Sequence, residues 1–100
     1  MIARIWHGWT KPEDAKLYEK LLREEIFPSI AASNIKGYHG AELFVRDNDN
    51  EVEFVTLLRF DSMDAVKEFS GPDASKPVIF PQAEALITRM EQAQHYRVAT

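Results

Sequence analysis

The sequence predicts an α+β fold: one antiparallel sheet of four strands with two helices on one face, in the order β-α-β-β-α-β. Three observations carry this expectation. Residues 2–9 (Ile-Ala-Arg-Ile-Trp-His-Gly-Trp) are β-branched and aromatic and show no helical period. From Leu17 to Ile30, apolar residues recur at three-and-four spacing. Between residues 35 and 60, two strand-like runs flank Asp47-Asn48-Asp49-Asn50, a turn cluster without an apolar residue.

Each element has its own signal. After the first strand, Thr10 is expected to cap a helix, Pro12 to occupy a position where its missing N–H is harmless, and Glu13 to complete a capping box. Leu17, Tyr18, Leu21, Leu22, Ile26 and Ile30 then turn inward, Pro28 bends or shortens the helix, and Ser33-Asn34 closes it. Ile35 to Arg46 reads as a second strand weakened by Gly37 and Gly40, and Glu51 to Phe60 as the clearest strand in the chain. Asp61-Ser62-Met63-Asp64 starts the second helix, with Met63, Ala65, Val66 and Phe69 inward, and Gly71-Pro72 ends it. Residues 73–88 read as loop and short helix around Pro77 and Pro81, and Arg89 to Val98 as a last strand. This order is the split βαβ, or ferredoxin-like, arrangement. With 100 residues and no linker or low-complexity tract, residues 1–100 form a single domain.

Composition narrows the function classes. Twelve Lys and Arg against 16 Asp and Glu give a net charge of −4, which argues against a nucleic-acid partner. The absence of cysteine excludes disulfides, thiolate metal sites and cysteine nucleophiles. No run approaches the ~20 apolar residues of a membrane helix, and the first residues read as a strand rather than a signal peptide. A soluble domain without a membrane partner is expected, with the cytoplasm as its compartment.

Alternation sorts the strands into faces. One nearly pure apolar set is Val52, Phe54, Thr56, Leu58 and Phe60 in the third strand, His39, Ala41, Leu43 and Val45 in the second, and Ala3, Ile5, His7 and Trp9 in the first. These sets are expected to meet the helices. The mixed sets hold Ile2, Trp6, Phe44, Val55 and Leu57, too much apolar surface for water, so a second copy of the sheet is expected to cover them. The predicted state is a homodimer.

His7, His39 and Thr56 interrupt the pure face, and a buried imidazole needs a partner. If sheet and helices part slightly, these groups line a small-molecule pocket walled by Trp9, Phe54, Phe69 and Phe80. Both histidines also read as satisfied core or edge residues, and a bulge at Gly37 or Gly40 would flip His39 to the other face. Arg59 and Arg89 are candidates for an anionic ligand or for surface ion pairs, and His95 for a mouth or edge residue. The histidines have no ligand spacing such as H-x-x-x-H, so no metal site is expected. There is no nucleophile elbow and no glycine-rich phosphate loop.

With that order in place, the whole chain resembles the antibiotic biosynthesis monooxygenase family of the dimeric α+β barrel superfamily. The resemblance is carried by Ile2-Ala3-Arg4-Ile5-Trp6-His7-Gly8, by residues 54–62 (Phe-Val-Thr-Leu-Leu-Arg-Phe-Asp-Ser), by residues 65–71 (Ala-Val-Lys-Glu-Phe-Ser-Gly), and by His95-Tyr96-Arg97-Val98. It implies a homodimer in which two sheets close into a barrel. It also implies a monooxygenase that uses O₂ on an aromatic or polyketide-like molecule with no cofactor, the substrate anion itself passing electrons to oxygen. In that setting His7 and His39 become the candidate catalytic groups, and Trp9, Phe54, Thr56, Arg59, Phe69, Phe80 and His95 the candidate substrate contacts.

Related members degrade haem with a first-strand Asn and a Trp and His around the second helix. Here the matching first-strand position is His7, the second helix offers Phe69 and no Trp, and residues 62–88 contain no His. Haem degradation of that type is not expected. Two other classes stay open: a non-catalytic or stress-related small-molecule-binding dimer, and an isomerase or lyase using histidine as a proton shuttle.

Overall fold

The computed structural model describes residues 1–100. Strand β1 (Ile2–Thr10) lies at the centre of the sheet. It pairs antiparallel with β3 (Val52–Phe60) on one side and with β4 (Ile87–Met90) and β5 (Gln94–Arg97) on the other. Strand β2 (Tyr38–Asp47) completes the order β2-β3-β1-β4, as the ferredoxin-like arrangement requires. The expected single last strand is two strands on one edge. Between them Glu91 N–H reaches His7 O and Ala93 N–H reaches Ser75 O, so residues 91–93 leave the ladder to seat buried Ala93.

The first helical run is continuous but not uniform. A 3₁₀ turn (Pro12–Asp14) leads into α1 (Ala15–Leu21), a π-turn (Leu22–Ile26) and α2 (Phe27–Ala32). The expected capping box is absent. Pro12 holds Lys11 extended, so Thr10 stays in β1, fully buried, and its hydroxyl donates to Lys11 O. The buried stripe is Tyr18, Leu22, Ile26 and Ile30, while Leu17, expected inward, is 50% exposed. Four-residue steps overshoot an α-helical turn by about 40° each, which would rotate the stripe off the sheet. The wider π-turn absorbs that drift. It also lies where Pro28 has no N–H to donate to Glu24 O.

Helix α3 (Met63–Ser70) begins at Ser62, whose hydroxyl accepts from Ala65 N–H, and ends at Gly71 with φ 87°. A 3₁₀ helix (Pro81–Leu86) follows. No helix is long and apolar enough to cross a membrane. The core lies between helices and sheet, where Phe54, Phe60 and Val66 are fully buried.

The β1 register corrects the expected face assignment. Ile2, Arg4, Trp6, Gly8 and Thr10 stand opposite Phe60, Leu58, Thr56, Phe54 and Val52, so they share the helix-covered face. Ala3, Ile5, His7 and Trp9 stand with Arg59, Leu57, Val55 and Glu53 on the open face. In β2, Tyr38 faces Phe60 and Gly40 faces Arg59, which leaves His39 as the extra residue of a bulge. Gly40 has φ 119° with open space around the position of a Cβ. Replacing Gly40 with Ala therefore costs backbone strain alone, about 1–3 kcal/mol, read as a lower urea midpoint with an unchanged m-value.

Candidate functional site

The helix-covered face encloses a cavity of about 50 Å³, lined almost entirely by apolar side chains. Three of its polar groups form one patch. Arg4 and Trp6 are two apart on β1, and Thr56 is the cross-strand partner of Trp6. The Trp6 ring folds back over Gly8, where an added Cβ would lie 2.2 Å from its Cη2, so glycine is the only residue that leaves it this seat. Trp6 is 7% exposed, and its Nε1–H is buried without a hydrogen-bond partner. Orphaned buried donors are rare, because each forfeits a hydrogen bond it made in water.

Arg4 is 3% exposed. Its Nη1 donates to Ala74 O at 2.6 Å and to His95 Nε2 at 3.0 Å, its Nη2 donates to Lys76 O at 2.9 Å, and its guanidinium lies over the Phe69 ring. None of these partners is an anion. Burial pulls Arg4 below its ordinary pKa, and burial plus the Arg4 charge pulls His95 down as well. His95 is thus a neutral imidazole accepting at Nε2, with its proton on Nδ1. Burial pushes the Tyr18 phenol up, so a neutral hydroxyl group completes the polar lining.

The residues expected at the site separate into three places. Thr56, Phe69 and Phe80 line the cavity. Phe54 is fully buried beside it, edge-on to Tyr18, and His95 reaches it only through Arg4. His7, Trp9 and Arg59 are on the open face, and His39 points outward from the bulge to Asp61 Oδ1 at 2.5 Å. The expected placement of His7, His39 and Trp9 in one pocket is therefore corrected: β1 has the opposite phase and the bulge turns His39 away. Sequence reasoning missed Arg4 and Trp6 for the same reason. The usable signal was Gly8, two residues beyond Trp6 and therefore on its face.

The open face has its own polar network. Its rows run Arg46–Glu53–Trp9–Arg89, Phe44–Val55–His7, and Glu42–Leu57–Ile5–Gln94. His7 Nδ1 meets Glu53 Oε2 at 2.7 Å, Arg46 meets Glu53 Oε1 at 2.5 Å, Arg89 stacks 3.7 Å over Trp9 and binds Glu51, and Arg59 pairs with Glu42. No group of three His, Asp or Glu residues is placed to hold a metal.

No family model matches the chain, and no curated protein matches it by sequence. Solved structures do match. An antibiotic biosynthesis monooxygenase superposes with TM-score 0.69 at 17% identity over 100% of both chains. A mutant of MhuD with two manganese protoporphyrin IX bound per active site gives 0.70 at 17%, over 100% of this chain and 96% of that one. The chain has the fold of antibiotic biosynthesis monooxygenase-type proteins. A NIPSNAP family protein from Agrobacterium tumefaciens shares it too, with TM-score 0.66 at 22% identity over 96% and 90% of the two chains.

Glu53 gives this geometry a pH signature. Its His7 hydrogen bond, then its Arg46 contacts, hold its pKa below the ordinary 4.5. It is 5% exposed on the open face of the sheet, with His7 on one carboxylate oxygen and Arg46 on the other. A carboxylate depressed in the folded state contributes stability above its unfolded value and loses it as pH falls through its folded value. Urea midpoints should therefore fall below about pH 4.5, and Glu53→Gln should flatten that decline while lowering stability at pH 7.

Proposed function

We propose that this chain is a homodimeric monooxygenase that binds a compact aromatic molecule against Arg4 and Trp6 and oxidises it with O₂. The observation that carries the reading is that Trp6, which lines an apolar cavity, has a buried N–H with no protein partner, a donor that an oxygen of an entering ligand would satisfy. The fold shared with the monooxygenase-type structures supports it. Arg4, Trp6 and Thr56 are suited to stabilise an oxyanion formed on the substrate, which makes an electron-rich ring more reactive toward O₂. For an activated ring CH₂ the balance is simple: the carbon becomes C=O, one oxygen stays there, and the other leaves as water with both hydrogens. A porphyrin is not part of this reading, since no histidine lines the cavity to hold its iron.

The second copy belongs on the open face. Phe44 is 49% exposed there, Ile5, Val55 and Leu57 are half-buried, and ion pairs rim them, a self-complementary pattern suited to a two-fold interface. His7 and Trp9 then act at that interface rather than on substrate. The alternative function, binding without turnover, uses the same cavity.

Two measurements test these readings. Incubation with anthrone-like phenols and quinols should give oxygen uptake stoichiometric with substrate loss, and Trp6→Phe should lower kcat by about a hundredfold while the protein stays folded. Saturable binding without uptake favours the non-catalytic reading. Light scattering on a sizing column should show twice the chain mass, and Leu57→Asp should halve it; a wild-type monomer at micromolar concentration would remove the dimer.

A further inference from the structure

The helix-covered cavity carries a positive charge with no counter-charge. Four carboxylates on or beside the sheet are engaged elsewhere: Glu53 by His7 and Arg46, Glu51 by Arg89, Glu42 by Arg59, Asp61 by His39. Arg4 has only two carbonyls and a neutral imidazole. Its Nε–H, like the Trp6 Nε1–H and the Thr56 hydroxyl, makes no hydrogen bond to protein. A buried cation without an anion is costly, and the protein relieves it only in part with dipoles.

We propose that the ligand of this cavity supplies the missing charge: a compact aromatic oxyanion, carboxylate or phenolate, whose oxygens take Arg4 and the Trp6 N–H while its ring lies among Phe69, Ile79 and Phe80. This rests on the cavity being the binding site and names the chemical class it takes. The cavity of about 50 Å³ is too small for a ring, because a benzene-sized void is about 150 Å³. The segment from Gly71 to Phe80 must therefore move, and it has no helix or strand to hold it. Arg4 fastens that segment through the Ala74 and Lys76 carbonyls, so an arriving oxyanion competes for the same guanidinium that keeps the segment shut. A neutral ring has no such leverage. The ligand's charge both opens the cavity and fills it.

The test is a titration of the ¹⁵N-labelled wild-type protein with benzoate, phenol and benzyl alcohol, followed at the two tryptophan indole N–H signals. Benzoate should move the Trp6 signal downfield and saturably, leave Trp9 in place, and shift the amides of residues 74–76. Benzyl alcohol should bind at least about tenfold more weakly. Phenol bound as phenolate should release a proton into weakly buffered solution, whereas benzoate should not, which separates the two sources of the oxyanion. Arg4→Gln should abolish the preference for benzoate over benzyl alcohol; Thr56→Val, which leaves the buried charge in place, should weaken benzoate several-fold if Arg4→Gln does not fold. Equal affinity for benzoate and benzyl alcohol overturns the proposal, as does benzoate binding without a Trp6 shift, or no saturable shift with any probe. Oxygen plays no part in this readout, so a failure to oxidise substrates would remove the monooxygenase reading and leave the anion site standing.

Discussion

Everything chemical in this molecule depends on the register of β1 against β3. Trp6 opposite Thr56 puts Arg4, Trp6 and Thr10 under the helices and His7 and Trp9 on the open face. A slip of one residue would exchange the two sets completely. Polar satisfaction favours the observed phase. On the open face His7 finds Glu53, and on the covered face Arg4 is long enough to reach the carbonyls of residues 74 and 76. Gly8 then leaves the room that the Trp6 ring occupies. The exchanged phase would bury His7 away from its carboxylate and turn Arg4 away from both carbonyls.

That register also explains what could be read from the sequence. In β3 the phase was legible because Val52, Phe54, Leu58 and Phe60 alternate with Glu51, Glu53 and Arg59; only one assignment buries the apolar set. In β1 each face offers one tryptophan, one isoleucine and one basic side chain, so alternation alone is neutral between them. The topology, the hairpin, the second helix and the cavity residues Thr56, Phe69 and Phe80 followed from local pattern. Arg4 and Trp6 did not, because their placement is decided by a long-range pairing and by segment 71–80, far along the chain. His39 fell between: the sequence shows that Gly40 permits a bulge, and only the pairing shows that the bulge forms.

The π-turn is where helix geometry meets the cavity. Leu22, Ile26 and Ile30 line the cavity at four-residue spacing, which a regular α-helix cannot keep on one side for long. Widening one turn keeps them over the sheet. It also brings Phe27 into the cavity wall beside Ile26, two adjacent positions that an α-helix separates by about 100°. Pro28 stabilises this arrangement by default, since a regular helix would require a donor it lacks. The feature is built from residues that read individually as ordinary core and helix-breaker.

The two faces of the sheet divide the chain's electrostatics unevenly, and the division separates structure from function. On the open face each arginine has a carboxylate: Arg46 has Glu53, Arg59 has Glu42 and Arg89 has Glu51. Those pairs lie in or near water, where each contributes little to stability and mainly sets how a facing surface must be charged. Arg4 is the most buried of these cations and the one without an anion, although burial is where a counter-charge matters most. An acidic chain with 16 carboxylates had the means to place one there. Placing none there leaves a guanidinium held only by neutral groups and an indole N–H without a protein partner, and an interior that forgoes its own ion pairing in this way is arranged for a group that arrives from outside.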